Sequence, residues 1–262
     1  MRTISLITDF GLKDGNVGLM KGVIWAISPE ARIADLSHNI GPQNICEAAL
    51  VLFRSAPYFS KGSIHVVVVD PGVGTERRPI AAQLGPQYFV GPDNGVISML
   101  WEWAEGQGLP TRFVHLNNPH YWLKDVSSVF HGRDIFAPVA GHLAAGVPLG
   151  DLGSPIDDPQ RLSFPQPQPG QHGWLGEVIH IDHFGNISSS VRREHLGNRI
   201  PSVVTLCDVE IHDFVNTFGD REVGTLVALY GSTGSLIVSV VNGSAAKRLG
   251  AQIGDPIEII IL

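Results

Sequence analysis

The chain has 262 residues, of which 44% are hydrophobic and 16% are charged, and its formal net charge is −7 at pH 7. This composition is typical of a globular protein with one large or two modest domains, and it excludes a mainly disordered chain. The sequence has no long basic run and no apolar stretch of membrane-spanning length, so we expect neither a nucleic-acid partner nor a membrane partner.

The first half of the chain alternates predicted strands with predicted helices. The segment 63–70 (SIHVVVVD) is apolar almost throughout, as in a strand that is covered on both faces of a parallel sheet. Strands are predicted at 2–8, 32–36 and 63–70, in the hairpin of PIAAQL and YFVG, and in TRFVHL, with helices at 16–27 and 44–56 and in GVISMLWEWA and DIFAPVAGHLAAG. This pattern predicts an N-terminal layered α/β domain with a mostly parallel sheet over 1–147.

The pattern changes after residue 147. Residues 148–172 are rich in Pro, Gly and Gln and are predicted to form an extended linker. Short strand-like runs separated by turn signals then continue to the C-terminus, with almost no helical periodicity. We therefore expect a smaller C-terminal β-barrel domain over 173–262.

Polar residues follow several predicted strands, and ligands of α/β sheets bind beyond the carboxyl ends of the strands. Each residue also has a purely structural interpretation: Asp14 as a helix cap, Asp93-Asn94-Gly95 as a turn, and Asp134 as a charge that complements a helix dipole. The polar residues concerned are Asp9, Asp14, Asn16, Asp70, Thr75, Arg77, Arg78, Asp93, Asn94 and the FHGRD segment at 130–134. Their joint occurrence at one sheet edge favours a functional site there.

Of two common nucleotide-binding motifs, one is incomplete in this sequence and the other does not occur. GVGTER begins like a dinucleotide fingerprint, but Arg77 replaces the third glycine, and no P-loop motif occurs. An aspartate-rich metal site formed by Asp9, Asp14, Asp70 and His131 stays open as an alternative, which would make the chain a metal-dependent phosphoesterase or nucleotidase.

The C-terminal half offers turn-like segments at IDHFGNIS (181–188), YGSTGSL (230–236) and VNGSAA (241–246). Phe184 and Phe218 lie beside polar turns, where an exposed aromatic side chain stacks on a flat ring or, alternatively, belongs to the core. The two cysteines, Cys46 and Cys207, lack metal-site spacing and are typical of reduced thiols. Together with an N-terminus that has no signal-peptide pattern, they predict a cytoplasmic protein.

Six characteristic segments occur in a fixed order over nearly the whole chain: ITDFG, VVDPGVGTERR, FVGPDNG, FHGRDIFAPVAGHLA, IDHFGNIS and VNGSAA. In this combination the chain resembles the S-adenosyl-L-methionine (SAM) hydroxide adenosyltransferases, the adenosine-forming SAM hydrolases, to which the fluorinase and chlorinase enzymes are related. The resemblance implies attack of water or hydroxide on C5′ of SAM, which gives adenosine and L-methionine. It also implies a homotrimer with SAM bound at the subunit interface, SAM as substrate, and no cofactor or metal.

The resemblance also implies roles for individual residues. Asp70, Arg77 and His131 match the group that holds the nucleophilic water, and Asp9 matches a ribose-binding aspartate. The other expected substrate contacts are Asp14, Asn16 and Ser232 for the methionine part, Phe130 beside the reacting carbon, and Asp182, Phe184, Asn186 and Phe218 for the adenine.

Three positions depart from the fluorinase. Gln43 replaces an aromatic residue over the ribose, Ser188 replaces a tryptophan near the adenine, and Gly132 replaces a serine that binds fluoride, as a glycine also does in the chlorinase. Gly132 alone therefore leaves halide chemistry open. The halogenases have tyrosine in place of Asp70 and lack the histidine, so the presence of Asp70 and His131 favours hydroxide. A sensor that binds SAM or adenosine without turnover is the remaining alternative, and the group that accepts the proton of water stays open.

Overall fold

The computed structural model describes residues 2–261, which divide into two compact units, residues 2–163 and 164–261. Each unit has its own hydrophobic core of buried aliphatic side chains. No helix within residues 2–261 is long and apolar enough to cross a membrane.

The first unit is built on a seven-stranded sheet. Its strands are β1 (Thr3–Thr8), β2 (Arg32–Ser37), β3 (Ile64–Val68), β4 (Pro79–Leu84), β5 (Gln87–Pro92), β6 (Thr111–His115) and β7 (Ser154–Ile156). They lie in the order β2-β1-β3-β5-β4-β6-β7, parallel from β2 to β5 and antiparallel from β5 to β7. The predicted α/β class and the predicted β4–β5 hairpin are confirmed.

Four α-helices accompany this sheet: α1 (Asn16–Ile27), α2 (Ile45–Ser55), α3 (Ser98–Gly106) and α4 (Ala137–Ala145). Helix α1 packs on α4, and α2 packs on α3. Both α4 and α2 contact β3, whose five residues are all buried. This double cover is why the strand sequence is apolar at every position rather than at alternate ones.

The last helix of the first unit begins with an irregular turn that the sequence does not predict. Residues Gly132–Phe136 form a π-helical turn directly before α4. Pro138 has no N–H to donate to the carbonyl of Asp134, four residues earlier, and that carbonyl instead accepts a bond from Leu123 N–H at 2.9 Å. Proline therefore releases a backbone group that ties the preceding loop to the helix start, at a kind of turn that is frequent at functional sites.

The segment predicted as a linker, 148–172, starts with ordered contacts to the first unit. Strand β7 pairs with β6, and Gln160 N–H donates to the Asp93 carboxylate at 2.7 Å. The first unit accordingly extends to Ser163.

The second unit is an antiparallel sheet that nearly closes into a barrel. Its strands are β8 (Gln168–Pro169), β9 (Gly173–Ile181), β10 (Ile187–Arg192), β11 (Val203–Leu206), β12 (Val209–Ile211), β13 (Leu226–Tyr230), β14 (Ser235–Val240) and β15 (Pro256–Ile260), with short helices α5 (Arg193–Leu196) and α6 (Ala245–Leu249). The main order is β12-β11-β15-β9-β10-β14-β13. Val215 N–H donates to the carbonyl of Ala228, whose N–H donates to the carbonyl of Asp213, so the chain after β12 reaches β13. The predicted β-barrel is confirmed.

Candidate active site

A cavity of about 230 Å³ lies where β1 and β3 end and the π-helical turn begins. This is the edge at which α/β sheets bind ligands. Its lining residues are Asp9, Phe10, Gln43, Val68, Asp70, Pro71, Val73, Val129, Phe130, His131 and Gly132. Four of the predicted site residues, Asp9, Asp70, Phe130 and His131, are thus brought together.

Arg77 joins Asp70 and His131 into one hydrogen-bonded cluster. Its Nε donates to Asp70 Oδ1 at 3.1 Å, and its Nη2 donates to Asp70 Oδ2, which gives a bidentate ion pair. The same Nη2 lies 3.1 Å from His131 Nδ1. Arg77 and His131 are 54 positions apart in the sequence, yet one guanidinium contacts both His131 and Asp70.

The cluster is largely shielded from solvent. The side chains of Asp70 and Arg77 are only 5% and 7% exposed. Burial raises the pKa of the Asp70 carboxyl above its ordinary value, and Arg77 opposes the rise. Burial lowers the pKa of His131 below its ordinary value, and the positive charge of Arg77 lowers it further. His131 is therefore neutral near pH 7.

The loop between Asp70 and Arg77 holds the guanidinium in place through its own turn. The Thr75 hydroxyl donates to the Gly72 carbonyl at 2.7 Å and accepts from Arg77 N–H at 3.3 Å. Gly74 has a φ of +75°, and a Cβ there would lie 2.1 Å from the Ser128 carbonyl oxygen. Only glycine permits this close approach to the loop that leads to His131.

Asp9, Phe10 and Phe130 also line this cavity. Gln43, in the left-handed region at φ 63°, donates its N–H to Asp9 Oδ2 at 2.8 Å. Phe10 and Phe130 meet edge to face with ring centroids 5.6 Å apart. The sequence did not indicate Phe10, because nothing before folding distinguishes it from a core aromatic.

Arg133 and Asp134 stabilise the loop before the helix. Asp134 is fully buried, forms a bidentate ion pair with Arg133, and accepts from Ser127 N–H at 2.9 Å. The Arg133 guanidinium also stacks over the Phe130 ring, 5.2 Å from its centroid. Both charged groups are thus bonded to the loop that carries Phe130 and His131, and neither lines the cavity.

The methionine-contact candidates of the first unit lie outside this cavity. Asp14 is exposed, and helix α1 has Gly15 at its N-cap with no side-chain bond, so Asp14 does not act as the cap. Asn16 is half-buried in the first turn of α1. Neither residue lines the cavity.

The polar residues that follow strand β5 form contacts within the fold. Asp93 is buried and paired with Arg78, which also binds Asp158 at 2.7 Å. Asn94 donates from its amide to the Val69 carbonyl and accepts from Val96 N–H. These contacts use the polar groups of GPDNG within the fold, in agreement with the interpretation of this segment as a turn.

The second unit has a cavity of about 510 Å³ whose lining residues are Phe184, Asn186, Phe218, Val240, Asn242 and Gly243. Phe184 is 73% exposed and Phe218 is 42% exposed, so neither belongs to the core. Three of the four predicted adenine contacts are therefore grouped here. Asn242, in the turn VNGSAA, has a φ of 54° and lines the same cavity, although the sequence alone indicated only a turn there.

Asp182, the fourth predicted adenine contact, organises the turn beside this cavity. Its Oδ1 accepts from the N–H groups of Phe184 and Asn186, both at 2.9 Å, and its Oδ2 accepts from Asn186 Nδ2 at 2.7 Å. The carboxylate thus fixes the position of Phe184, and it does not line the cavity.

Ser232 and Ser188 contribute to neither cavity lining. Ser232 is exposed in the turn between β13 and β14, and Ser188 is buried within β10. Within residues 2–261, no group of three or more His, Cys, Asp and Glu side chains is arranged to hold a metal ion. The proposed aspartate-rich cluster is divided, with Asp9, Asp70 and His131 at the cavity and Asp14 outside it.

Comparison with known proteins matches one family domain to each of the two units. The model of the SAM hydroxide adenosyltransferase N-terminal domain matches residues 4–153, and the model of the corresponding C-terminal domain matches residues 176–258. This chain belongs to the SAM hydroxide adenosyltransferase family. The two matched segments include both cavities in full, so the resemblance drawn from the six sequence segments is confirmed.

Several members of this family are similar to the chain over almost its full length. The chain is 39% identical over 260 residues to the (R)-S-adenosyl-L-methionine hydrolase of Salinispora tropica, covering 98% of this chain and 97% of that protein. It is 37% identical to the enzyme of the same name from Thermus thermophilus, covering 99% and 100%. A fluorinase from Nocardia brasiliensis is 24% identical, covering 98% and 96%.

A solved structure of a conserved protein from Thermotoga maritima superposes with a TM-score of 0.91 at 36% identity, covering 98% of this chain and 99% of that one.

Proposed function

We propose that this protein is an enzyme that hydrolyses SAM to adenosine and L-methionine by attack of water on C5′. Relatives at 37–39% identity carry the name (R)-S-adenosyl-L-methionine hydrolase, and no observation favours a phosphoesterase or a sensor. The observation that carries the proposal is the Asp70–Arg77–His131 cluster, in which a buried guanidinium is bonded to two groups on the wall of one cavity.

The reaction suits such a site. The O–C5′ bond forms while the C5′–S bond breaks, and the electron pair of that bond stays on sulfur, which leaves as a neutral thioether. No general acid is required for this leaving group. The barrier depends on holding oxygen, C5′ and sulfur in line, and effective positioning supplies roughly 7–11 kcal/mol in favourable cases. A rigid, shielded cluster of fixed charges provides that positioning.

The bond between Arg77 and His131 defines the state of the histidine. A guanidinium has only donors, so Arg77 Nη2 donates and His131 Nδ1 accepts. A neutral His131 therefore carries its proton on Nε2. We propose that Nε2–H donates to the oxygen of the attacking water and orients it, because the lone pair of this ring is already used by Arg77.

Asp70 is then the proposed proton acceptor. Burial raises the pKa of its carboxyl, which makes it a better base than an exposed aspartate, while Arg77 keeps it ionised before the reaction. The proton leaves the water as the O–C5′ bond forms and passes to solvent after the products depart.

The other predicted substrate contacts keep the roles that the resemblance implies. We propose that Asp9 binds the ribose, Phe130 lines the reacting carbon, and Phe184, Phe218 and Asn186 hold the adenine. Asp182 would act by fixing that turn, since its carboxylate oxygens already accept three bonds there. Asp14, Asn16 and Ser232 remain the proposed contacts of the methionine part. We further propose a cytoplasmic homotrimer in which neighbouring subunits complete the active site.

The direct test is incubation of the purified protein with SAM, with and without chloride and with and without a chelator, followed by chromatography. We expect equimolar adenosine and methionine under all four conditions. Chelator-sensitive turnover would instead favour the metal-dependent alternative, and 5′-chloro-5′-deoxyadenosine would show that halide is the nucleophile. Binding of SAM without any product would indicate a sensor.

A further inference from the structure

The second unit contains another cavity, of about 380 Å³. It shares no lining residue with the cavity of about 510 Å³ that Phe184 lines. We call it the arginine pocket. Its lining residues are Arg193, Gly197, Asn198, Arg199, Ile200, Phe214, Val215, Asn216 and Tyr230. Two are arginines, two are amides, and none is acidic, so this lining is positively charged in a chain of net charge −7.

Both arginines of this pocket lack a counter-charge. Among residues 2–261, neither Arg193 nor Arg199 is in an ion pair. The two acidic residues that are adjacent in sequence to lining residues are paired elsewhere: Glu194, beside Arg193, with Arg192 at 3.0 Å, and Asp213, beside Phe214, with Arg221 at 2.6 Å. Two exposed guanidinium groups therefore face one cavity with their charge uncompensated. Such paired guanidiniums bind oxyanions, and phosphate most effectively, through several donors at once.

The two guanidinium groups are held by contacts within the fold. Arg199 Nε donates to the Leu196 carbonyl at 3.2 Å, which leaves its terminal nitrogens for another acceptor. The Arg193 guanidinium lies over the Tyr230 ring, 4.5 Å from its centroid, and that ring meets Phe214 edge to face at 5.3 Å. Side chains that are ordered before binding lose less conformational entropy when a ligand arrives.

The volume and the amides indicate the size of the ligand. A volume of 380 Å³ is within the range of small-molecule sites and exceeds what one phosphate ion fills. The Asn198 and Asn216 amides can donate to and accept from hydroxyl groups on the rest of a ligand.

We propose that the arginine pocket binds a phosphate monoester of a small polar molecule, with the phosphate on Arg193 and Arg199. This assignment is independent of SAM hydrolysis, since it involves none of the residues placed in that reaction.

The test is isothermal titration calorimetry of the full chain, without SAM, using glycerol 3-phosphate, inorganic phosphate and glycerol. We expect glycerol 3-phosphate to bind more tightly than inorganic phosphate, and glycerol not to bind. In the double variant Arg193→Gln, Arg199→Gln, the affinity for glycerol 3-phosphate should fall at least tenfold. The matched control Lys247→Gln, Arg248→Gln removes two exposed charges from α6 of the same unit and should bind normally.

Thermal unfolding of each variant establishes that it is folded. If the double variant does not fold, the single variant Arg199→Gln, at an exposed loop position, replaces it with the same direction expected. Normal binding by the folded variant, or no binding of any phosphate by the wild type, would overturn the proposal. Equal affinity for inorganic phosphate and the monoester would overturn the assignment to a monoester. SAM turnover in all of these variants reports separately on the proposed hydrolase activity.

Discussion

The cavity beside Asp70 in the first unit and the cavity beside Phe184 in the second unit differ in the kind of side chain that lines them. In the first unit, the Asp70 and Arg77 side chains are 5% and 7% exposed and are bonded to each other. In the second unit, the principal groups are the rings of Phe184 and Phe218, at 73% and 42% exposed. The first cavity therefore has a buried ion pair at its wall, whereas the second has exposed aromatic rings.

This difference separates two tasks of one proposed reaction. Buried, mutually bonded charges act most strongly on a changing charge distribution, because little solvent screens them and little reorganisation is needed. Exposed aromatic faces bind a flat heterocycle through stacking but have no influence on the breaking bond. We therefore expect damage to the first cavity to lower kcat and damage to the second to raise KM.

The largest effect is expected for Asp70→Asn. The substitution removes the proposed proton acceptor and leaves the buried Arg77 guanidinium without a counter-charge. We expect kcat for SAM to fall roughly 100- to 1,000-fold, as for loss of a central electrostatic group in other active sites. SAM binding, measured by calorimetry, should persist. The control is Asp158→Asn, an exposed aspartate that is also paired with an arginine, and its kinetics should match the wild type.

A smaller effect, on the other parameter, is expected for Phe184→Ala. Loss of one stacking face costs roughly 1–3 kcal/mol per base, so KM for SAM should rise about tenfold while kcat changes little. Steady-state kinetics with the control Val223→Ala, an apolar residue that is 71% exposed in the same unit and outside the cavity lining, would show no such rise. A loss confined to kcat would contradict the assignment of binding to this cavity.

The smallest effect, and the sharpest one for the mechanism, is a displaced pH profile in His131→Gln. The proposed mechanism needs neutral His131, whose pKa is lowered from its ordinary value of 6.5, so kcat of the wild type should be constant at pH 7–8 and fall as the pH drops below 6.5 and the ring gains a proton. Glutamine keeps an N–H donor but does not titrate, so its acid limb should move to lower pH and its kcat should exceed that of His131→Ala.

His115→Gln is the control for this profile, because burial lowers the pKa of His115 as well and that residue does not line the cavity. Its profile should coincide with that of the wild type. An unchanged acid limb in His131→Gln would show that another group governs it.

The molecule also contains a Ser–His–amide arrangement that looks catalytic in composition alone. Ser5 Oγ lies 2.7 Å from His65 Nδ1, and His65 Nε2 lies 3.3 Å from Gln87 Oε1. All three residues are buried, and burial lowers the pKa of His65 to about 4. His131 differs because it lines a cavity, and access and neighbouring groups decide whether a histidine can act on a ligand.

The sequence alone was sufficient for the alternation of strands and helices, the change to a β-barrel, and the six segments that identify the family. These are local patterns, since burial on one face or both leaves a direct periodicity in the residues. The sequence could not supply the π-helical turn at Gly132–Phe136 or the pairing of β7 with β6. Those features depend on a carbonyl released by Pro138 and on a sheet edge contributed by distant residues.

The same division applies to the site. The sequence indicated the residues that we propose carry the chemistry, because Asp70, Arg77 and His131 occur in recognisable segments. Only the tertiary structure decided that one guanidinium nitrogen bonds to both partners, that Asp134 braces a loop, and that Asp182 fixes a turn. Residue type is a property of one position, whereas a hydrogen bond between residues 77 and 131 exists only after the sheet has brought two distant segments to one edge.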